Sequence, residues 1–248
     1  MTPSDTKLSL IFPGQGSQAV GMGVALAEAY PVARTVFDEV DDALGQKLSR
    51  LMAEGPMEEL TLTANTQPAL MAVSVAAHRV LAEEGLLPPA IRSMAGHSLG
   101  EYSAYCAAGA ISLSDTAKLL RIRGDAMQAA VPVGEGAMAA IIGLDMDKVT
   151  EVATTTGAEI ANDNAPGQVV ISGSKPAVEA ACVAAKEAGA KRALPLPVSA
   201  PFHSTLMGPA RDRMAEALAD AEIKAPAVPV FSNVTTEKVI DPAEIRRT

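Results

Sequence analysis

The pentapeptide at residues 96–100 constrains the fold more than any other feature of this sequence. Gly96-His97-Ser98-Leu99-Gly100 places small residues around a serine. This is the pattern of a nucleophile elbow, in which a tight turn joins a strand to a helix and exposes the serine hydroxyl. The apolar run 91–95 predicts the incoming strand, and the run 101–108, rich in small residues, predicts the outgoing helix. The free N–H groups at the start of that helix suit a developing oxyanion.

Strands and helices alternate in the first half of the chain. The patterns predict a strand at 8–12, helices at 20–29 and 31–44, a short helix at 57–60, a helix that starts with a cap at 65–68 and runs to Leu81, and a helix at 114–130 with Ser114 as its cap. Together with the elbow, this order predicts an α/β fold with a largely parallel sheet that helices cover on both faces.

The order of elements changes after Pro132. The patterns then predict strands at 137–144, 158–161, 168–172 and 192–197, and helices at 147–156 and 176–188. This β-α-β-β-α-β order is typical of a ferredoxin-like unit. We therefore expect a small subdomain at 132–198, inserted into a main domain that consists of 1–131 and 199–248.

A nucleophilic serine needs a positioned base, and this chain has 3 histidines that could serve. His97 adjoins Ser98, where a side chain normally points elsewhere, and His78 lies in an apolar helical pattern. His203 lies in a break of the pattern, before a long helix. Loops of this kind often present catalytic groups, so His203 is the expected base.

Composition and charge exclude several classes of protein. The net charge of −9 argues against non-specific nucleic-acid binding, and no apolar run is long enough to cross a bilayer. Residues 1–7 lack the basic and apolar segments of a secretory signal. Cys106 and Cys182 are isolated, which indicates reduced thiols rather than a disulfide or a metal site. These observations predict a soluble, cytoplasmic protein without a metal site.

A second glycine-rich segment has two interpretations. Residues 14–19 satisfy the loose G-x-G-x-x-A pattern of a dinucleotide-binding loop. However, Asp38 and Glu39, the acidic residues at the required distance, fall within a helical pattern rather than at a strand end. The backbone N–H groups of this loop could instead provide half of an oxyanion hole for Ser98.

Five motifs together carry a resemblance to a known family. They are Pro13-Gly14-Gln15-Gly16-Ser17-Gln18, Gly96-His97-Ser98-Leu99-Gly100-Glu101, Arg123-Gly124, Asn162-Asp163-Asn164-Ala165-Pro166-Gly167-Gln168 and Pro201-Phe202-His203-Ser204. In order and spacing the chain resembles the acyltransferases of fatty-acid and polyketide synthesis, most closely those that transfer malonyl groups to acyl carrier protein. The resemblance runs from Ile11 to the final residues. It implies an α/β-hydrolase-like large domain with a ferredoxin-like insert.

The resemblance also implies a ping-pong reaction. Ser98 would take the malonyl group from malonyl-CoA as an ester and pass it to the phosphopantetheine thiol of holo acyl carrier protein. His203 would transfer the protons, and the backbone N–H groups of Gln15 and Leu99 would hold the oxyanion. No bound cofactor is implied, since malonyl-CoA is a substrate, and the chain is expected to be a monomer.

Three further residues are expected to bind the acyl group. Arg123 can grip the malonyl carboxylate with its guanidinium fork, although its helical pattern also fits an ordinary surface arginine. The resemblance places Phe202 where a bulky ring excludes branched acyl groups, and it places Asn162 among the substrate-binding residues.

The two ends of the chain lead to two expectations. Members of the family continue beyond the position of Thr248 into a segment whose backbone carbonyl orients the catalytic histidine, so we expect a C-terminal truncation that removes this group. The start at Met1 without a leading linker favours a stand-alone enzyme over a domain cut from a larger synthase.

Two other functions share parts of this pattern. A serine hydrolase or thioesterase would use the same serine and base but would transfer the acyl group to water, with no need for Arg123. A non-enzymatic module would only bind coenzyme A or a carrier protein. Carrier proteins are acidic, so docking requires a basic patch, for which the candidates are Lys118, Arg121, Lys186, Lys191 and Arg192.

Overall fold

The computed structural model describes residues 8–88, 90–132, 134–198 and 200–247. The chain divides into two compact units. Unit 1 consists of the residues up to Asp125 together with those from Met214 onwards, and unit 2 is Ala126–Arg213. The predicted insert, 132–198, lies within the bounds of unit 2.

The strands are β1 (Leu8–Phe12), β2 (Ile91–Gly96), β3 (Gly136–Ile142), β4 (Glu159–Ala165), β5 (Gln168–Ser174), β6 (Arg192–Pro195), β7 (Val230–Phe231) and β8 (Lys238–Val239). The helices are α1 (Val24–Ala29), α2 (Pro31–Leu44), α3 (Leu48–Glu54), α4 (Met57–Thr61), α5 (Thr63–Glu83), α6 (Gly100–Ala107), α7 (Leu113–Ala129), α8 (Met146–Thr156), α9 (Lys175–Glu187), α10 (Gly208–Asp220) and α11 (Pro242–Ile245). A short 3₁₀ turn, Thr205–Met207, precedes α10.

The sheet of unit 1 is mixed but mostly parallel. Its strands lie in the order β1-β2-β7-β8, and only the β7–β8 pair is antiparallel. Apolar side chains of α2, α3, α5 and α7 form one core cluster, in which Leu48, Met71 and Leu120 are fully buried. Removal of such side chains from water is the main stabilising contribution. The prediction of an α/β fold with a largely parallel sheet is confirmed for this unit.

The sheet of unit 2 is antiparallel, in the order β4-β5-β3-β6. Both α8 and α9 contribute to the apolar cluster beneath it, in which Ile141 and Ile171 of the sheet are fully buried together with Val149 and Ala181 of the helices. The elements follow one another in the predicted order β-α-β-β-α-β.

The predicted start of α1 at residue 20 is wrong, because α1 begins at Val24. Gly21 and Gly23 have φ angles of 91° and 81°, which an α-helix cannot contain. The glycine-rich loop after β1 therefore does not lead directly into a helix. It lacks the helix N-terminus that a dinucleotide-binding loop presents to a pyrophosphate.

The predicted cap of α5 at 65–68 is also wrong, since the helix begins at Thr63 and contains Pro68. Two polar side chains of its first turn bond back to α4. Asn65 Nδ2 donates to the carbonyl oxygen of Glu59 at 3.0 Å, and Thr66 Oγ1 donates to that of Leu60 at 2.6 Å. These bonds join α4 to α5 and allow the helix to start earlier than the sequence pattern indicates.

The cap of α7 is Ser112 rather than the predicted Ser114. The N–H of Asp115 donates to Ser112 Oγ at 3.0 Å, and this hydroxyl donates in turn to the Asp115 carboxylate at 2.7 Å. The Ser112 hydroxyl thus accepts from an N–H of the first turn, as an N-cap side chain does. Ser114 instead donates to Glu39 of α2 at 2.9 Å, so the pattern predicted the helix correctly but not its first residue.

Within the part of the chain that the structure describes, no helix is long and apolar enough to cross a membrane. Over the same residues, no group of three or more His, Cys, Asp or Glu side chains is arranged to hold a metal ion. Cys106 and Cys182 both carry free thiols, and Cys106 is the more buried of the two.

Candidate active site

Ser98 lies on the turn between β2 and α6, as the pentapeptide predicts. Its φ angle is 52°, in the left-handed region that a residue with a side chain rarely adopts. Such a conformation costs about 1–3 kcal/mol and occurs preferentially at functional sites. The turn is therefore a strained one, as a nucleophile elbow requires.

The two glycines of the pentapeptide are required by close backbone contacts. A Cβ atom on Gly96 would lie 1.9 Å from the carbonyl carbon of Gly100. A Cβ atom on Gly100 would lie 2.4 Å from the carbonyl oxygen of Phe12, at the end of β1. Because carbon and oxygen atoms cannot approach this closely without a bond, only glycine fits at either position. The tight turn and its contact with β1 thus explain the spacing of the motif.

Arg123 reaches the serine from α7. Its Nη2 donates to Ser98 Oγ at 3.2 Å, and its Nη1 donates to Oε1 of the buried Gln67 at 2.8 Å. Its guanidinium carbon lies 5.8 Å from the ring centroid of Tyr102, within cation–π range. The interpretation of Arg123 as an ordinary surface arginine is therefore wrong, because this side chain is directed to Ser98 and held from two sides.

Gly124 explains how α7 delivers this arginine. A Cβ atom on Gly124 would lie 2.5 Å from the Cα of Ala64, so α7 and α5 approach each other closely at this point. Gln67 lies one turn further along α5, where it meets the guanidinium. The sequence analysis did not identify Gln67, since a glutamine in a helical pattern carries no signal of its own.

The charges around Arg123 leave it available to an anion. Burial lowers the pKa of Arg123, and the nearby Tyr102 and Glu101 oppose this effect. An arginine nevertheless stays protonated in proteins. Among the described residues, no carboxylate lies within ion-pair distance of this guanidinium. A buried cation without a partner carboxylate favours the binding of one from a ligand.

The sequence predicts an oxyanion hole from two backbone N–H groups, one in the loop after β1 and one at the elbow. The loop after β1 packs on the elbow, since a Cβ atom on Gly14 would lie 2.7 Å from the carbonyl oxygen of His97. In the described structure, no hydrogen bond occupies the backbone N–H of Gln15 or of Leu99. The side chain of Gln15 donates to Thr63 Oγ1 at 3.3 Å, which ties the loop to α5.

Asn233 and Glu101, to which the sequence analysis assigned no role, brace the elbow. The backbone N–H of Ser98 donates to Oδ1 of Asn233 at 2.9 Å. Nδ2 of Asn233 donates to the Gly96 carbonyl oxygen at 2.7 Å and to Glu101 Oε2 at 2.6 Å. Burial raises the pKa of Glu101, while the hydrogen bonds from Asn233 lower it. Asn233 follows β7, a strand too short for the sequence pattern to indicate.

His203 lies in unit 2, in the loop between β6 and the 3₁₀ turn. Its φ angle is 58°, so it too has a left-handed backbone. Ser204 Oγ donates to the Pro201 carbonyl oxygen at 2.7 Å. The backbone N–H of Thr205 donates to Glu159 Oε2 at 3.0 Å, and its hydroxyl donates to Glu159 Oε1 at 2.7 Å. The loop is thus tied to β4 immediately after His203.

Phe202 and Asn162 also lie in unit 2. Phe202 is only 6% exposed and packs in an apolar cluster with Met127, Met138 and Met207. Its ring therefore contributes to the core of unit 2, and its effect on acyl selectivity stays a prediction. Asn162 lies in β4, opposite Val170 of β5, at an irregularity in the strand register.

The other two histidines lie in unit 1. His78 is on α5, as predicted, with its ring centroid 6.5 Å from that of Phe12, and burial lowers its pKa. The N–H of His97 donates to the Phe12 carbonyl oxygen at 3.0 Å, which joins the elbow to β1. The surroundings of His78 are therefore of the kind that the sequence pattern indicates.

Comparison with known proteins identifies the family of the chain. The family model described as an acyl transferase domain matches residues 9–246. The chain belongs to this acyl transferase family. The matched range includes the elbow, Arg123 and His203.

Individual members of the family are closely similar to the chain. A malonyl CoA-acyl carrier protein transacylase from Bacillus subtilis is 50% identical over 246 residues, which cover 97% of this chain and 77% of that protein. The crystal structure of an acyl-carrier-protein-S-malonyltransferase from Bartonella henselae has a TM-score of 0.95 at 55% identity, covering 98% of this chain and 79% of that one. A malonyl-transacylase in complex with a type II PKS acyl-carrier protein has a TM-score of 0.93 at 48% identity, with 98% and 79% covered.

Proposed function

We propose that this acyl transferase moves the malonyl group of malonyl-CoA to the phosphopantetheine thiol of acyl carrier protein, through a malonyl ester on Ser98. The names of its relatives support the donor, the acyl group and the acceptor. The reaction would supply extender units for fatty-acid synthesis. It is a ping-pong reaction, because the first product leaves before the second substrate reacts.

The contact between Arg123 and Ser98 carries this proposal. A malonyl thioester has its carboxylate only one methylene away from the carbonyl that is attacked. An enzyme for this group must therefore place a cation close to its nucleophile, and Arg123 Nη2 lies 3.2 Å from Ser98 Oγ. A charge-assisted bond to the carboxylate would select malonyl over acetyl groups. A hydrolase of neutral esters has no use for this arrangement.

In the first half-reaction, His203 accepts the proton of the Ser98 hydroxyl as Oγ attacks the thioester carbonyl carbon. The N–H groups of Leu99 and Gln15 bind the negative oxygen of the tetrahedral intermediate. The carbon–sulfur bond then breaks, and His203 returns the proton to the departing thiolate of coenzyme A. The malonyl group remains as an ester on Ser98.

In the second half-reaction, His203 accepts the proton of the carrier-protein thiol, whose sulfur attacks the ester carbonyl. The same two N–H groups stabilise the second tetrahedral intermediate. The carbon–oxygen bond to Ser98 breaks, and the proton passes to Oγ. No redox or metal chemistry enters this balance of atoms and charges.

An acyl carrier protein as the acceptor is supported by the solved complex of a related malonyl-transacylase with such a protein. The basic residues predicted to dock it do not all remain candidates. Arg121 donates to Asn65 Oδ1 at 2.9 Å and also to Gln46, so its guanidinium is already engaged in hydrogen bonds within unit 1. Lys118 on the same helix is exposed, as are Lys186, Lys191 and Arg192 of unit 2.

The finer fold assignment is part of this proposal. The strand order β4-β5-β3-β6 with its two helices supports a ferredoxin-like subdomain, for which we retain the bounds 132–198. The strained serine between β2 and α6 supports an α/β-hydrolase-like main domain.

The proposal is tested by the intact mass of the protein after brief incubation with malonyl-CoA. We expect an adduct of one malonyl group that is lost when holo acyl carrier protein is added. Ser98→Ala should give no adduct, and acetyl-CoA should give far less adduct than malonyl-CoA. Steady release of free malonate without transfer to the carrier protein would instead identify a hydrolase.

A further inference from the structure

Ser98 needs more than its neighbouring glycines to keep its conformation. Gly96 and Gly100 leave room for the tight turn, but absence of a side chain exerts no force that holds Ser98 at a φ of 52°. A strained residue persists only where surrounding contacts determine its conformation. The structure must therefore contain a group that favours this backbone over a relaxed one.

The side chain of Asn233 is placed to do this. Its Oδ1 accepts from the Ser98 N–H at 2.9 Å, and its Nδ2 donates to the Gly96 carbonyl oxygen at 2.7 Å. These two backbone atoms lie on either side of His97, so one carboxamide spans the turn. A carboxamide can do this because it carries a donor and an acceptor side by side, as a peptide group does.

The register of the sheet explains why Asn233 is at this position. β7 pairs in parallel with β2, Met94 with Val230 and Ala95 with Phe231, and its pairing ends there. Asn233 comes two residues later, where β2 has become the elbow. Its side chain thus continues the hydrogen bonding of the sheet beyond the end of β7, at the point where the nucleophile stands.

Glu101 determines the orientation of that carboxamide. Its Oε2 accepts from the Asn233 backbone N–H at 2.9 Å and from Nδ2 at 2.6 Å, and the residue is only 9% exposed. With the amide reversed, its oxygen would face both the Glu101 carboxylate and the Gly96 carbonyl oxygen. Two oxygen–oxygen contacts without a proton are unfavourable in a buried site. Only one orientation is therefore stable.

The turn that carries Asn233 is itself held firmly. The hydroxyl oxygen of the buried Ser232 accepts from the N–H groups of Val234 and Thr235 at 3.1 and 3.2 Å. The Ser232 N–H donates to the carbonyl oxygen of Glu237 at 3.0 Å. These hydrogen bonds therefore fix the backbone from which the Asn233 side chain extends.

We propose that Asn233, oriented by Glu101, is a positioning residue that holds Ser98 in the strained conformation required of the nucleophile. The inference rests on the proposed function only in taking Ser98 as the nucleophile. Because Asn233 occupies the Ser98 N–H, that group does not serve the oxyanion, which leaves the N–H groups of Leu99 and Gln15. Without the brace, the backbone of Ser98 relaxes and Oγ moves away from its reactive position.

The test compares the reactivity of Ser98 with the stability of the fold. The rate of Ser98 labelling by a fluorophosphonate and the rate of malonyl-enzyme formation are measured for the wild type, Asn233→Ala, Asn233→Asp and Glu101→Gln. A displacement of about 1 Å costs about 10²-fold, and we expect a decrease of this size in both rates for Asn233→Ala. The half-saturating concentration of malonyl-CoA should be unchanged, since Arg123 still binds the carboxylate.

Asn233→Asp is the second test variant, used if Asn233→Ala fails to fold. It keeps an acceptor for the Ser98 N–H but loses the donor to Gly96 and Glu101, so its rates should also fall. Glu101→Gln can still accept one hydrogen bond, and a decrease of about tenfold is expected. A folded variant of Asn233 that is labelled as fast as the wild type overturns the inference.

Asp41→Asn is the matched control. Asp41 is a buried carboxylate in α2 that accepts from the N–H and the hydroxyl of Ser49 at 2.8 and 2.7 Å, with no contact to the elbow. It should lower the thermal unfolding temperature but leave both Ser98 rates unchanged. Equal loss of rate in this control would show a purely structural effect and overturn the inference.

The two readouts separate this inference from the proposed function. A wild type that reacts with the fluorophosphonate but forms no malonyl adduct contradicts malonyl transfer, and the labelling rates of the variants still decide the role of Asn233. A wild type whose Ser98 reacts with neither reagent overturns the inference as well, because there is then no activated nucleophile to position.

Discussion

Ser98 in unit 1 and His203 in unit 2 are both non-glycine residues with a left-handed backbone, at φ angles of 52° and 58°. They differ in what holds them. The N–H of Ser98 is bonded to a side chain 135 positions away in the sequence. The loop of His203 is held by a bond within the loop itself, from Ser204 to Pro201, and by Glu159 of the same unit.

The comparison shows two ways to maintain a strained residue. At the elbow, two glycines, a neighbouring strand and a distant asparagine must all be present, so the conformation depends on the assembled sheet. At the histidine loop, the bond from Ser204 to Pro201 and the bonds from Thr205 to Glu159 all lie within unit 2. Changes around Ser98 should therefore affect both folding and catalysis, whereas changes around His203 should have smaller and more local effects.

The largest effects on turnover are expected when the side chain of Ser98 or of His203 is removed, and the two variants should differ in whether they form the malonyl adduct. We expect Ser98→Ala to form no malonyl adduct and to lose turnover by at least about 10⁴-fold, since no other group can carry the ester. His203→Ala should lose turnover to a similar extent but should still form the adduct slowly, because Ser98 and the oxyanion donors remain. Intact mass measured at timed intervals gives the rate of adduct formation in each variant. Adduct formation in His203→Ala as fast as in the wild type would contradict the role of His203 as the base.

The next largest effect should be on stability at the elbow. In Gly96→Ala the new Cβ would lie 1.9 Å from the Gly100 carbonyl carbon, and we expect a loss of more than about 4 kcal/mol of unfolding free energy. Gly208→Ala, at the start of α10, is the control, because its Cβ meets no atom within 4 Å and its φ is −48°. Urea unfolding should find the control close to the wild type, and similar losses in both would contradict the steric explanation.

The two cysteines, Cys106 in unit 1 and Cys182 in unit 2, allow the units to be compared by the rate at which each thiol is alkylated. Burial raises the pKa of Cys106 on α6 from 9.0 to about 11, whereas Cys182 on α9 is less buried, and burial raises its pKa as well. Only the thiolate reacts with iodoacetamide, so at pH 8 folded Cys106 should react about 10²-fold more slowly than an exposed thiol. Peptide mapping after timed alkylation should find Cys182 modified first.

The same shift has a consequence for stability. The unfolded chain releases the Cys106 proton near pH 9.0 and the folded one near pH 11. The contribution of the buried thiol is therefore fully present below pH 9 and is lost as the pH rises through this window. Equal alkylation rates of the two cysteines in the folded protein would contradict the difference in burial between α6 and α9.

A smaller effect is expected on the choice of substrate. Arg123→Ala removes the cation beside Ser98, and the malonyl-to-acetyl ratio of kcat/KM should fall by about 10- to 10²-fold, the value of a charged hydrogen bond. In Arg123→Lys the ratio should fall by less, since the lysine ammonium keeps the positive charge but cannot donate two parallel hydrogen bonds as a guanidinium does. Arg121→Ala is the control on the same helix, and its ratio should not change. A constant ratio in Arg123→Ala would contradict carboxylate binding.

The smallest effect is expected at the support of the histidine loop. Glu159→Gln weakens the two bonds to Thr205 but keeps one acceptor, so the rate of adduct formation should fall by only a few-fold, about 1 kcal/mol at most. In Asn233→Ala, measured in parallel, the rate of adduct formation should fall by about 10²-fold. If Glu159→Gln had the larger effect, the distinction between local and distant support would be wrong.

Much of this protein could be predicted from local sequence. The strand at 8–12 and the helix at 31–44 were predicted with their observed bounds, because apolar periodicity directly reflects which side chains face a core. The elbow could be located because its glycines follow from backbone sterics within a few residues. Helix starts were less well predicted, as at Ser112 and Thr63, because a cap competes with contacts from other elements.

The tertiary structure alone decided which groups surround Ser98. The sequence indicates that Ser98 is the candidate nucleophile, that Arg123 could bind a carboxylate, and that an α/β fold holds them. It could not indicate Gln67, Glu101 or Asn233, because each acts through a hydrogen bond to a residue distant in sequence or to a neighbouring turn. Local propensity determines where strands and helices form, whereas only the pairing of β2 with β7 brings an asparagine to the nucleophile.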